Sequence, residues 1–276
     1  MKKIFVDQLG NRIAIDFPPK RIISLVPSQT ELLFDLGLDV EIVGITKFCI
    51  HPKENALVKT KVGGTKKLDL DRIRSLKPDL IIGNKEENEK ADIVALQQEF
   101  PVWMSDIVNL EDAKDMIQRI GELTNRSPEA TYLIHLISAG FRDLQQLALE
   151  KGVSQKILYM IWKKPFMAAG RNTFIDDVLR SIGLQNVLEV SRYPMLSDDD
   201  ISGLMPELVL LSSEPYPFKE KNVEEFRLLL PESKVLIVDG EMFSWYGSRL
   251  VKAIGYLFEL QKQLPTTGAS EPLKKD

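Results

Sequence analysis

"DRIRSLKPDLIIGNKEEN" (71–88) returns as "DDISGLMPELVLLSSEPY" (199–216). At a constant offset of 128, Asp71 falls on Asp199, Ile73 on Ile201, Leu76 on Leu204, Pro78 on Pro206, Asp79 on Glu207 and Leu80 on Leu208. Each copy reads as a short helix, a proline break and an apolar strand of the kind buried in parallel sheets. A weaker echo sets "LFDLGL" (33–38) beside "LRSIGL" (179–184) in the same order. Two echoes in one order describe two related α/β lobes rather than a solenoid of many units.

The rest of the chain fits around this duplication. "IFVDQLGNRIAID" (4–16) reads as a β-hairpin. "RIISLV" (21–26) is a strand handing over to a helix, with Ser28 expected as N-cap and Glu31 three residues on. "EIVGI" (41–45) is a strand followed by a long loop to "KVGG" (61–64). Strands and helices then alternate to about residue 123, which argues for a parallel sheet covered on both faces. From Ser127 to Lys151 a single helix is expected, roughly 34 Å long, with one apolar stripe running through Leu133, Ile137, Phe141 and Leu144. A second alternating set runs from "KILYMIW" (156–162) to the helix "RLVKAIGYLFELQKQL" (249–264). The expected organisation is an N-terminal lobe (1–126), a linking helix (127–151), a C-terminal lobe (152–264) and a flexible tail (265–276).

Composition excludes several functions. A net charge of −4 leaves no basic footprint for nucleic acid. The single Cys49 cannot form an internal disulfide. No run approaches the ~18 apolar residues of a membrane span. Asp7, Asn11, Arg12 and Asp16 interrupt the start, so no leader-like apolar region is read there and a cytoplasmic address stays open. With His51 and His135 as the only histidines, a metal site lacks ligands of suitable spacing; none is expected, nor any cofactor. No G-x-S-x-G elbow, P-loop or G-x-G-x-x-G is present, so no catalytic residue is assigned.

The duplication places Glu86 and Glu214 in equivalent loops, just beyond the carboxyl ends of their strands. That edge is where open α/β sheets meet ligands and partners. "SSEPYPF" (212–218) presents Glu214 and Tyr216 between stiffening prolines.

The run "RIISLVPSQTELLFDLGL…IVGIT", with "KVGGTKKLDLDRIRSLKPDLIIG", the long helix and "PFMAAGRNTFIDDVLRSIG", resembles the helical-backbone (class III) substrate-binding proteins of ABC transporters. The cobalamin-binding and iron-chelate-binding members are the nearest in pattern. The resemblance covers residues 20–263. It implies two Rossmann-like lobes with parallel sheets joined by one long helix, and a ligand cleft between the lobes. It also implies a periplasmic, monomeric carrier that docks on a permease dimer through one acidic residue per lobe, here Glu214 and, in the first lobe, Glu86 or its close neighbours Glu87 and Glu89.

On that reading the strand-end loops carry the ligand contacts. They hold Ser28, Phe48, Trp162, Tyr193, Tyr216 and Trp245, the last at the position where cobalamin-binding relatives place a cleft tryptophan. Flat rings give large contact area at low entropic cost. Arg171 and Arg249 are the cations expected to meet an anionic group, with Lys85 and Arg192 next. Phe166 and Phe243 are expected to pack rather than bind. The expected cargo is cobalamin or a related corrinoid. A ferric siderophore or haem is the alternative within the class, and a cytoplasmic ligand sensor or enzyme the alternative outside it.

Overall fold

The computed structural model describes residues 1–264; the tail expected at 265–276 lies outside them. The chain divides into two units. The first is Met1–Leu136 with Trp245–Leu250, and the second is Ile137–Ser244 with the chain from Val251 onward. Chain order put 245–250 with the second lobe, yet these six residues belong to the first unit.

In the first unit, β1 (Lys2–Val6) and β2 (Arg12–Asp16) form the antiparallel hairpin, turned by Gly10 at φ 83°. A five-stranded parallel sheet follows. It contains β3 (Ile22–Ser24), β4 (Ile42–Ile45), β5 (Thr60–Lys61), β8 (Leu80–Asn84) and β9 (Val102–Ser105), in the order β5-β4-β3-β8-β9. Its helices are α1 (Pro27–Asp35), α2 (Lys53–Val58), α3 (Leu70–Leu76), α4 (Lys90–Gln97) and α5 (Leu110–Thr124), and a small hairpin, β6 (Gly63–Gly64) with β7 (Lys67–Leu68), precedes α3. Ile23, Ile73, Ile81, Leu96 and Val102 fill the core between sheet and helices. Two expectations fail here. The long loop after β4 contains α2, which buries only Ala56 and so has no apolar periodicity to announce it. Ser28 is not the N-cap of α1: the helix begins at Pro27, whose fixed φ suits the first helical position, and Val26 is the cap.

The helix α6 (Ser127–Lys151) starts in the first unit and continues into the second, where Gly152 stops it at φ 61°. The second unit holds β10 (Lys156–Trp162), β11 (Phe166–Ala168), α7 (Phe174–Ser181), β12 (Gln185–Asn186), β13 (Met195–Leu196), α8 (Asp198–Leu204), β14 (Leu208–Ser212), α9 (Glu220–Leu229), β15 (Lys234–Val238), α10 (Glu241–Ser244) and α11 (Arg249–Gln263). Strands β12, β14 and β15 extend the sheet from β10 in parallel. The sheet is not wholly parallel, because β11 runs antiparallel to β10 and β13 antiparallel to β11. Gly140 of α6 lies so close to α11 that an added Cβ would come within 2.3 Å of Ile254 Cδ1.

The repeat is structural to the residue. Helix α3 maps onto α8 and β8 onto β14 with both bounds shifted by the same 128. Between helix and strand, Lys77 and Met205 both adopt the left-handed conformation, at φ 46° and 44°. The carboxylates of Asp79 and Glu207 do the same work in the two lobes. Asp79 accepts from Lys20 N and Arg21 N at 2.7 and 2.8 Å, and Glu207 from Lys156 N at 2.8 Å, each pinning the start of the neighbouring strand.

A side chain in the left-handed region costs about 1–2 kcal/mol that glycine avoids, offset in part by glycine's freedom in the unfolded chain. Lys77→Gly and Met205→Gly should therefore each stabilise the protein by roughly 0.5–1 kcal/mol, read as a rise in urea midpoint at unchanged slope.

Candidate functional site

Each unit has a candidate face at the carboxyl edge of its sheet. In the first unit that edge is built on buried polar side chains. Asn84 Nδ2 donates to Ser105 Oγ at 2.9 Å, and Asn88 Oδ1 accepts from Asn84 N at 2.9 Å. Gln29 Nε2 also donates to Ser105 Oγ. All four residues are buried, in a layer that holds the loops following β3, β8 and β9 together. Sequence reasoning missed these amides; their only signal is polar residues standing next to apolar strand runs.

Trp245 sits in this unit, 8% exposed, with His51 meeting its ring edge-on at 5.5 Å between centroids. Behind it the Arg249 guanidinium lies 4.8 Å from the ring centroid. Arg249 is also paired, Nε to Glu31 Oε2 at 2.7 Å and Nη2 to Glu31 Oε1 at 3.0 Å, with side chains only 6% and 2% exposed. The turn between Trp245 and Arg249 uses Gly247 at φ 111°, close against the Ser28 carbonyl. Ser28 itself is buried inside α1. Phe48 is different: 51% exposed, it extends from the loop after β4, with Lys47 Nζ 5.0 Å from its ring centroid.

Beneath Phe48's loop, Cys49 is fully buried, with the hydroxyls of Thr30 and Thr46 each 3.1 Å from its sulfur. Burial pushes the thiol pKa up and outweighs these hydroxyls, which favour the thiolate.

Glu86 is half-buried in the loop after β8, where Asn84 Oδ1 accepts from its backbone N–H at 2.8 Å and Lys66 donates to its carbonyl. Glu87 and Glu89 beside it are exposed. Lys85 is paired with Asp106.

In the second unit the carboxyl edge is aromatic. Trp162, 38% exposed, meets Tyr216 edge-on at 5.8 Å, and Tyr216 meets Phe218 at 4.8 Å. Phe166 packs on Phe226 at 5.4 Å, and Phe243 is wholly buried between Tyr159 and Tyr256. Burial pushes the Tyr159 phenol up; its hydroxyl donates to Ser212 Oγ at 3.3 Å. Glu214 is half-buried and its Oε1 accepts from Ser244 Oγ at 2.8 Å.

The structure separates both arginines from the part expected of them. Arg249 is enclosed with Glu31 and presents no guanidinium at the surface. Arg171 lies at the wrong edge of the sheet. Because β11 reverses direction, the chain beyond it returns toward the amino end of β10, and Arg171 lines a polar cavity of about 730 Å³ with Lys156, Asp176, Arg180 and Gln185. There it pairs with Glu189 at 3.2 Å. Tyr193 is half-buried on the adjoining segment, with the Arg192 guanidinium 5.9 Å from its ring centroid. Among the described residues no group of three or more His, Cys, Asp or Glu side chains is placed to hold a metal ion, and no helix is long and apolar enough to cross a membrane.

Comparison with known proteins places this architecture. The chain belongs to the periplasmic binding protein family, whose signature matches residues 22–229. It is thus a ligand carrier and not an enzyme. It is 24% identical over 270 residues to an ABC transporter substrate-binding lipoprotein of Bacillus subtilis (strain 168), covering 93% of this chain and 84% of that protein. It is 26% identical over 206 residues to a vitamin B12-binding protein of Vibrio cholerae, covering 72% and 73%. Among solved structures, the periplasmic vitamin B12-binding protein of Vibrio cholerae superposes with a TM-score of 0.78 at 21% identity, over 90% of this chain and 98% of that one. A periplasmic heme-binding protein of Pseudomonas aeruginosa gives 0.79 at 19%, over 90% and 94%. The periplasmic catecholate-siderophore-binding protein of Vibrio cholerae gives 0.75 at 16%, over 96% and 100%. These likenesses show the two-lobed class III fold.

Two outcomes follow. Arg249→Ala or Glu31→Ala should each destabilise the protein by about 3–5 kcal/mol, because each breaks a buried bidentate ion pair, whereas the double change to Leu at both positions should recover much of that loss in a urea melt. Cys49 should resist alkylation at pH 8 in the folded chain and react fully in denaturant. The unfolded thiol loses its proton at a lower pH than the folded one, so Cys49's contribution to stability falls as pH rises above about 8.5, the unfolded value.

Proposed function

We propose that this chain is the substrate-binding protein of an ABC importer and that its cargo is cobalamin or a related corrinoid, a bulky chelate met mainly by rings. The observation that carries this reading is the contrast between rings and cations at the two carboxyl edges. Phe48 and Trp162 stand 51% and 38% exposed. Arg249 is neutralised by Glu31, Arg171 lies at the opposite edge, and Lys85 and Lys163 are paired with Asp106 and Glu225. Edges built this way each suit a ligand with large apolar and amide surface and little net charge. Relatives named as vitamin B12-binding proteins support it. A ferric siderophore or haem would instead draw on Lys47 beside Phe48, the one observation that favours an anionic chelate.

In the same reading, Glu86 and Glu214 dock on the permease dimer, one from each lobe, and the carrier acts as a periplasmic monomer. Their equivalent places, two residues beyond β8 and β14, support the pairing. The last strand residue steadies each loop: Asn84 Oδ1 accepts from Glu86 N at 2.8 Å and Ser212 Oγ from Glu214 N at 3.4 Å.

Tryptophan fluorescence and calorimetry with cyanocobalamin, haem and a ferric catecholate siderophore test the cargo. Saturable one-to-one binding of cyanocobalamin is expected, weakened about tenfold or more by Phe48→Ala or Trp162→Ala, a loss of roughly 1.4 kcal/mol or more. Binding of haem or the siderophore alone, lost on Lys47→Ala, would replace the corrinoid reading. Alanine at both Glu86 and Glu214 should weaken permease docking and leave ligand affinity unchanged; a collapse of ligand affinity would move both residues into the ligand site.

A further inference from the structure

The polar cavity at the amino edge of β10 has no part in the ligand face proposed above. At about 730 Å³ it is the size of a small-molecule site, and three cations line it: Lys156, Arg171 and Arg180. The other polar groups around them are already engaged. Asp176 is buried, accepts from Asn186 Nδ2 at 3.1 Å and lies 3.3 Å from Arg180 Nε. Asn186 Nδ2 also donates to the Ala169 carbonyl at 2.8 Å, and Gln185 Nε2 donates to Ser154 Oγ at 2.7 Å. What is left over is the donor capacity of the cations. The Lys156 ammonium makes no hydrogen bond or ion pair among the described residues. Arg171 spends one group of its fork, Nη2, on Glu189 Oε1 at 3.2 Å.

The backbone beneath Arg171 is fixed. Arg171 N donates to the Val190 carbonyl at 2.9 Å, and Arg192 N to the Arg171 carbonyl and Gly170 N to the Arg192 carbonyl, each at 2.8 Å. The two segments approach so closely that a Cβ on Gly170 would fall 2.1 Å from the Val190 carbonyl oxygen. Asn172 and Arg192 take the left-handed conformation, at φ 57° and 70°, so strain is held on both sides of this clamp. Lys156 is the first residue of β10, and Glu207 holds its backbone N–H. Glu189 is the loose member. Its side chain is 83% exposed and meets Arg171 through one hydrogen bond, a contact that solvent largely screens.

We propose that this cavity is a second ligand site, for a small phosphate-bearing anion, and that Glu189 stands in for the anion when the site is empty. A phosphate group accepts two parallel bonds from a guanidinium and a further one from an ammonium, whereas the Glu189 carboxylate takes one. Arg171 and Lys156 are the binding residues, and Arg180, tied to Asp176 and Asp177, adds its charge. The net charge of −4 works against non-specific capture of polyanions, so affinity for one reports the site itself. The site is independent of the corrinoid reading, because it sits at the end of β10 away from Trp162.

Calorimetric titration of the full chain with inorganic pyrophosphate, in magnesium-free buffer at about 0.15 M NaCl, tests the site. Saturable one-to-one binding is expected. Lys156→Ala and Arg171→Ala should each weaken it about tenfold, the worth of a charge-assisted hydrogen bond. Arg171→Lys, which keeps the charge without the fork, should lose part of that. Glu189→Gln should tighten binding about threefold, by removing the competing carboxylate. Citrate, titrated in parallel, should bind more weakly than pyrophosphate. Absence of saturable pyrophosphate binding would overturn the site. So would binding unchanged in both Lys156→Ala and Arg171→Ala with melting temperatures preserved. Tighter binding of citrate would overturn the phosphate assignment, and weaker pyrophosphate binding in Glu189→Gln would overturn the stand-in role.

Discussion

The bidentate pair between Glu31 and Arg249 is the constraint on which the first unit's site depends. Two charges this deeply enclosed lose several kcal/mol of hydration each, and only a matched fork with short bonds offsets that cost. The geometry supplies it, at 2.7 and 3.0 Å, across a sequence separation of 218 residues. Glu31 sits on a helix in which residues 28–33 are buried, so the pair is enclosed from that side. The segment carrying Trp245 is thereby fixed against α1, and the indole between His51 and the guanidinium is fixed with it. The same pairing removes from the surface the cation best suited to an anionic chelate.

The two lobes share a frame and differ at the edge that matters. Their helix–strand units match from cap to strand end, down to the left-handed Lys77 and Met205 and the stapling carboxylates Asp79 and Glu207. Beyond the strands the resemblance stops. The first lobe continues into buried amides and hydroxyls, while the second continues into a chain of edge-on rings from Trp162 to Phe226. Packing of the frame restricts the repeated positions, whereas loop side chains that face solvent or ligand are under no such restriction.

Much of this frame was legible in the chain itself. Periodicity and proline breaks located α3, α8, β8 and β14, and a long apolar stripe located α6, because these features are local and strongly patterned. The start of α1 was legible too, had Pro27 been preferred over Ser28 as the boundary signal. The site was less so. The placement of Arg171 depends on the reversal at β11, a three-residue strand too short to carry a period. The burial of Arg249 depends on a partner at the far end of the chain, and no local pattern encodes a partner. The rings at Phe48 and Trp162 were readable as strand-end residues, because strand ends follow directly from strands.

The membership of Trp245–Leu250 in the first unit has a consequence for the order in which the protein is made. A ribosome completes every strand of the first sheet long before it reaches Arg249. Until then the bidentate pair between Glu31 and Arg249 cannot form. At 5–20 residues per second the wait is on the order of ten seconds. The first domain to emerge is therefore the one that must wait for the last stretch of chain before this ion pair closes.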